Sequence, residues 1–244
     1  MFSKDFESSI FSSGKDKYFS ILGDSLSTFE GISQPTDAVF YDKQRKEESR
    51  VTTVSKTWWG QVIDRLGAKL LVNNSISGST VIRHEKCHYP SYGCSDERTS
   101  ALSKEGIMPD VIMVYLGTND WGSYTRPRAT AKQIEEQDLE NFEVAYDVML
   151  QKLRRNYPNS EIWCMTLATS TWSGVENFRF SYYNNGWHIS EYSDTIRKYA
   201  LKHGCKVIEL FKNAPPYDTF EGIHPCVEGM NTLAEQVLKS LEIQ

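Results

Sequence analysis

Short, nearly continuous apolar runs alternate along this chain with longer stretches in which apolar residues recur every three or four positions. The short runs have the length and composition of strands: residues 17–22, 68–73, 111–116, 161–167 and 206–210. Val111 to Leu116 is the most uniform, the pattern of a central parallel strand covered on both faces. The longer stretches have helical spacing. Residues 56–66 place Trp58, Trp59, Val62, Ile63 and Leu66 on one face and stop at Gly67. Residues 135–157 carry Leu139, Phe142, Ala145, Tyr146, Met149, Leu150 and Leu153 and stop before Pro158; 190–203 stop at Gly204; 226–241 form the last helix. This alternation predicts βαβ units around a parallel sheet, in one domain over residues 1–244.

Three connections are too long to be plain turns: 28–55, 79–100 and 168–189. Long loops in a compact domain usually carry function, and loops that follow parallel strands gather at the sheet's C-terminal edge, where ligands bind. Composition narrows the chemistry. With 244 residues, 39% apolar content and a net charge of −5, the chain reads as a globular protein with a sizeable core. No Lys/Arg run marks a nucleic-acid surface, and no apolar stretch approaches the ~20 residues of a membrane helix. Charges near the N-terminus interrupt the apolar stretch a signal peptide needs, and the five scattered cysteines suit a reducing compartment; a cytoplasmic location is expected.

Four short segments stand at the strand ends or before the last helix. Gly23-Asp24-Ser25-Leu26-Ser27 follows the first strand, and Asn74-Ser75-Ile76-Ser77-Gly78-Ser79-Thr80 the second. Gly117-Thr118-Asn119-Asp120 follows the third, and Glu221-Gly222-Ile223-His224-Pro225 precedes the final helix. Together, in this order, they resemble the SGNH, or GDSL-type, family of esterases and lipases, over residues 17 to about 230. The resemblance implies a three-layer α/β/α sandwich on a five-stranded parallel sheet of flavodoxin-like topology. It also implies catalysis by Ser25 and His224, an oxyanion hole at Gly78 and Asn119, and no cofactor and no metal.

Physical chemistry supports the same roles. A serine hydroxyl is a poor nucleophile until a base takes its proton, which His224 could do for Ser25. Charge developing on a carbonyl oxygen needs preorganised donors, here the N–H groups of Ser25 and Gly78 and the Asn119 amide. The Gly-x-Ser-x-Gly elbow of α/β-hydrolases is absent, because position 27 is Ser. One departure concerns the third catalytic member. The family usually has Asp three residues before the His; this chain has Glu221 there, with Asp218 as the rival and a Ser–His dyad as the third possibility.

The segment His84-Glu85-Lys86-Cys87-His88 with Cys94 admits a zinc site or a Cys87–Cys94 disulfide, but its uneven spacing favours an ordinary active-site flap. Trp121, Tyr124, Trp172 and Trp187, with Tyr182 and Tyr183, lie in or near loops at the active edge and are candidate substrate-binding aromatics. Family members act on acetylated sugars, lysophospholipids, thioesters and aryl esters. The aromatic loops and the absence of a broad apolar lid favour a short-chain, acetyl ester on a carbohydrate. The expected partner is thus a small-molecule or oligosaccharide ester, with no nucleic acid and no membrane. Two other classes remain open: a nucleotide binder using residues 77–80 as a phosphate cradle, and an inactive carbohydrate-binding relative.

Overall fold

A computed structural model describes residues 15–33, 38–84, 92–123 and 125–242. Five strands form one parallel sheet: β1 (Tyr18–Gly23), β2 (Lys69–Ser75), β3 (Val111–Tyr115), β4 (Glu161–Met165) and β5 (Lys206–Ile208). Their order is β2-β1-β3-β4-β5, the flavodoxin-like arrangement. Four long helices cover it: α1 (Trp58–Arg65), α2 (Phe142–Asn156), α3 (Ile189–Lys202) and α4 (Val227–Glu242).

Alternation along the strands decides which helix covers which face. Leu22, Ile112, Val114, Ile162 and Cys164 pack with α2 and α3, while Phe19, Ile21, Val111, Met113, Tyr115 and Met165 pack with α1 and α4. Every residue of β3 is buried, as its uniform composition implies. The expected three layers and parallel sheet are therefore present.

The helix expected from residue 135 begins later. Ala131–Glu135 is a separate single turn closed by a Thr130–Gln133 capping box, and the chain reverses through Gln137 at φ 51°. α2 starts only after Asn141, whose side-chain oxygen accepts from the N–H groups of Glu143 (2.9 Å) and Val144 (3.3 Å). Cap chemistry overrides the apolar spacing at this end. The long connections also hold elements that the periodicity does not reveal. These include short helices at Lys43–Ser49 and Asp96–Ser100, a hairpin pairing Tyr183–Asn184 with Trp187–His188, and a parallel pair between Ser170–Thr171 and Tyr217–Asp218. The last of these brings the third long connection beside the segment that leads into His224.

Candidate active site

The site begins where β1 runs out. Gly23 can take no side chain, because a Cβ there would stand 2.7 Å from Ser75 Oγ and 2.9 Å from Ser27. Asp24 then caps a one-turn 3₁₀ helix, Ser25–Ser27, its carboxylate accepting from Leu26 N–H at 3.0 Å. The turn is held from below. Trp59 Nε1 (3.0 Å) and Asn73 Nδ2 (2.8 Å) both donate to Ser27 O, and Trp58 Nε1 donates to Ser27 Oγ at 3.3 Å. Ser25 is left 7% exposed at the C-terminal edge of the sheet.

The loop after β2 lies beside it, with Ile76 N–H donating to Gly23 O at 3.2 Å. Gly78 sits there at φ 75°, exposed, and a Cβ at this position would meet nothing within 4 Å. The positive φ is the reason for glycine. The loop after β3 completes this side. Asn119 Nδ2 donates to Ser79 O at 2.9 Å, and the Asp120 carboxylate accepts from Val81 N–H (2.9 Å) and Ile82 N–H (3.1 Å). No helix starts on residues 77–80, so a phosphate cradle there would lack the helix N-terminus that such cradles use.

The imidazole arrives from the other direction. His224 Nε2 lies 2.9 Å from Ser25 Oγ, and His224 Nδ1 lies 2.8 Å from Glu221 Oε1. The same carboxylate oxygen also accepts the backbone N–H groups of His224 (2.5 Å) and Ile223 (3.2 Å). Gly222 at φ 97° makes this three-residue spacing close on itself. Asp218 faces elsewhere, accepting from the N–H groups of Ser173 (2.9 Å) and Thr219 (3.0 Å).

Burial and hydrogen bonding pull the site's carboxyls in opposite directions. Burial pushes Asp24 up to about 7, against the N–H donors of Leu26 and of its own backbone. Burial likewise raises Asp120 to about 7 despite the N–H donors of Val81, Ile82 and its own backbone. Glu221 is also penalised by burial, but the hydrogen bonds and charge of His224 outweigh that penalty and hold it below the usual range. Arg98, 2% exposed beneath the edge, is brought down to about 10 by burial.

Among the expected aromatics, Trp172 stands against Gly222, with Phe178 edge-on to it at 6.3 Å. Trp121 stacks on Phe180 at 5.7 Å, and both it and Trp187 pack partly buried against the core. Tyr182 and Tyr183 flank His188 at 5.6 and 4.8 Å. Tyr124 lies outside the described residues, as do 85–91, and with them Cys87 and His88 of the metal or disulfide reading. Cys94 is a buried free thiol, and no cluster of three or more metal-ligating side chains occurs among the described residues. No helix among those residues is long and apolar enough to cross a membrane.

Two residues at the site escape sequence reasoning. Phe40 lies flat on the His224 ring, centroids 3.4 Å apart and planes 12° off parallel, with Arg45 Cζ 5.3 Å from the Phe40 centroid. Its N–H donates to Thr28 Oγ1 (2.9 Å), which in turn donates to Ser25 O (3.0 Å). Arg98 is the other. Phe40 lies in a connection whose length alone marks it as functional, but nothing singles out that residue within it.

The model of one family, described as GDSL-like lipase/acylhydrolase, matches residues 17–241. A solved protein from Bacteroides ovatus described as a GDSL-like lipase is 27% identical with a TM-score of 0.70, covering 94% of this chain and 100% of its own. A similarly described protein from Bacteroides uniformis is 29% identical with a TM-score of 0.67, covering 94% and 97%. The fold is also shared by a carbohydrate esterase family 2 enzyme with a carbohydrate-binding domain from Corynascus thermopiles (Myceliophthora fergusii). That structure is 14% identical with a TM-score of 0.54, covering 93% of this chain and 67% of its own. No curated protein matches the chain.

Proposed function

The chain belongs to the GDSL-like lipase/acylhydrolase family and is a hydrolase acting on esters, and from that premise we propose that it removes a short acyl group, acetyl, from a carbohydrate through an acyl-enzyme on Ser25. The observation that carries this reading is the hydrogen-bonded line from Glu221 to His224 (2.8 Å) and on to Ser25 (2.9 Å).

In the proposed cycle, Ser25 Oγ bonds to the acyl carbon while its proton passes to His224 Nε2. The carbonyl electrons move onto oxygen, where the N–H groups of Ser25 and Gly78 and the Asn119 amide receive the charge. A primary amide has two N–H groups. Asn119 commits one to Ser79 O at 2.9 Å, which orients the second. Glu221 accepts the Nδ1 proton, fixing the tautomer and stabilising the imidazolium. The alcohol leaves with the proton from Nε2. Water then repeats the sequence on the ester of Ser25, and the free acid departs.

The carbohydrate assignment rests on Trp172, a half-buried, flat amphipathic ring that packs against Gly222, two residues before His224. The shared fold of a carbohydrate esterase agrees with the assignment.

The test is a series of p-nitrophenyl esters of rising chain length, run beside acetylated xylan and acetylated sialic acid. Acetate should turn over fastest, and a saccharide should release acetic acid; fastest turnover on long acyl chains would replace this reading with a lysophospholipase or thioesterase. A fluorophosphonate should label Ser25, and Ser25→Ala should abolish labelling and cut kcat by roughly 10⁶, the cost of losing a triad nucleophile elsewhere. Labelling that survives the substitution would sink the nucleophile assignment.

A further inference from the structure

A buried cation lies beneath the edge that carries Ser25 and Gly78. Arg98 belongs to the one-turn helix Asp96–Ser100, started by Ser95 Oγ accepting from the Arg98 N–H at 3.1 Å. The chain entering this helix runs along the oxyanion loop, since Gly93 N–H donates to Thr80 O (2.7 Å) and Cys94 N–H to Val81 O (3.1 Å). The guanidinium is therefore delivered underneath the site by backbone pairing.

Its fork then reaches two catalytic segments at once. Nη2 donates to Gly23 O at 3.0 Å and to Asn74 O at 2.8 Å. Nη1 donates to Ser79 Oγ at 2.8 Å, and Nε to Asn74 Oδ1 at 2.6 Å. Gly23 is two residues before Ser25, and Ser79 directly follows Gly78. Through Ser79 O, which accepts the Asn119 amide at 2.9 Å, the third segment is joined to the same array. These acceptors lie where the strand ladder ends, since Gly23 and Ser75 are the last paired residues of β1 and β2. Beyond that point Ile76 N–H to Gly23 O (3.2 Å) and Asn73 Nδ2 to Ser27 O (2.8 Å) tie the two loops at their bases, and Arg98 adds the tie that reaches Ser79, next to Gly78. A planar fork fixes several acceptors in distance and direction together, which a lysine's single point of charge cannot do. Burying such a cation is costly, and a well-packed apolar residue often serves stability as well.

We propose that Arg98 is a positioning residue that sets the distance between the Ser25 nucleophile and the Gly78–Asn119 oxyanion hole. The proposal rests on the roles given above to Ser25, Gly78 and Asn119. It acts through geometry: a displacement of about 1 Å between nucleophile and charge-receiving donors costs on the order of 10²-fold in rate.

The experiment compares Arg98→Lys and Ser79→Ala with wild type by three measurements. These are kcat and KM on p-nitrophenyl acetate per titrated active site, the second-order rate of fluorophosphonate labelling, and the melting temperature. The phosphonyl oxygen occupies the same hole as the oxyanion, so labelling reports its geometry without an ester substrate. Arg98→Lys should lower kcat and the labelling rate together by about 10- to 100-fold, with KM within about threefold. Ser79→Ala should move both the same way by several-fold, and the double variant should be little worse than Arg98→Lys alone, because the two share one contact. A lowered melting temperature with kcat and labelling within about twofold of wild type would overturn the proposal, since Arg98 would then serve the fold alone. If Arg98→Lys does not fold, Ser79→Ala decides by the same two rates. A wild-type protein that labels at Ser25 yet hydrolyses no ester defeats the proposed function, while the labelling rates of the variants still judge Arg98.

Discussion

Ser25 and the loop of Gly78 rest on buried side chains contributed from distant parts of the chain, whereas Glu221 and His224 ride on a half-exposed turn closed mainly by its own neighbours. On the first side, Trp58, Trp59, Asn73 and Arg98 all donate into segments adjoining Ser25 or Gly78. On the second, Glu221 keeps 31% of its side chain exposed, and its partners are residues 223 and 224. Tyr217 Oη to Ile223 O (2.8 Å) and Ser170 Oγ to Gly222 O (3.0 Å) brace the turn from just outside it. The two acids show the consequence. Asp24, buried with few donors, is driven up to about 7, and Glu221, with three donors on one oxygen, is held down. The buried side supplies fixed geometry, and the exposed side supplies a charge that stays ionised beside the imidazole.

The comparison breaks most readily at Glu221. If its charge orients His224, Glu221→Gln should leave the fold intact and lower kcat by roughly 10⁴, the cost of neutralising the third member in a serine protease. Asp218→Asn should cost far less, because that carboxylate accepts from Ser173 and Thr219 instead. Glu221→Asp keeps the charge and should be impaired less than Glu221→Gln. A crippled Asp218→Asn beside a nearly silent Glu221→Gln would move the acid to 218; two silent variants would leave a Ser–His dyad.

The same contrast governs what could be read from the sequence. The five strands and the cores of the four long helices follow from apolar spacing, which is a local property of the chain. The Glu221–His224 pair is equally local, three residues apart, and stands out for that reason. Arg98 does not. In Ser95-Asp96-Glu97-Arg98-Thr99-Ser100 it reads as part of a solvated polar run, and only the return of the chain along 80–81 buries it. Ser95 ahead of two acids was a usable helix-start signal, but it gives no hint of burial. Phe40 is hidden in the same way, because a stack onto residue 224 leaves no trace in the spacing around residue 40. Sequence pattern thus reveals the side of the site built locally and hides the supports built through tertiary contacts.

Asn119 belongs to the buried side, where a donor's value lies in being held still. If Asn119 serves the proposed oxyanion hole, Asn119→Ala should cut kcat by roughly 10²–10³ with little change in KM, because its amide would meet full charge only in the transition state. A raised KM at unchanged kcat would mark it instead as an ordinary substrate contact.

A smaller effect is expected where the two sides touch. The Phe40 ring faces the imidazole while the residue's backbone N–H is tied through Thr28 to Ser25 O, so the ring can steady the imidazolium as it forms. Cation–π attraction of about 0.5–2 kcal/mol corresponds to a fall in kcat of roughly 2- to 30-fold for Phe40→Leu, and Phe40→Tyr should retain most of the rate. Equal kcat for all three proteins would show that the stack only fills space.

Asp24 allows the gentlest test, read in stability. Its carboxyl stands near the ordinary value of 3.8 when unfolded and at about 7 when folded. Below the lower value both states hold the proton and the group is neutral to stability. Between the two, the unfolded chain releases the proton that the folded chain retains, so stability falls as pH rises. Above about 7 both states are ionised, and the folded protein carries the full burial penalty. Asp24→Asn keeps an oxygen to accept the Leu26 N–H but removes the charge. It should therefore raise the melting temperature at pH 8 by several degrees and leave it nearly unchanged at pH 4. Burial is opposed first by the Leu26 N–H and then by the Arg98 cation, both of which favour the ionised form. If Asp24→Asn instead destabilises the protein more at pH 8 than at pH 4, the Arg98 attraction outweighs burial. The bed under Ser25 would then be held by charge, as Glu221 and His224 are.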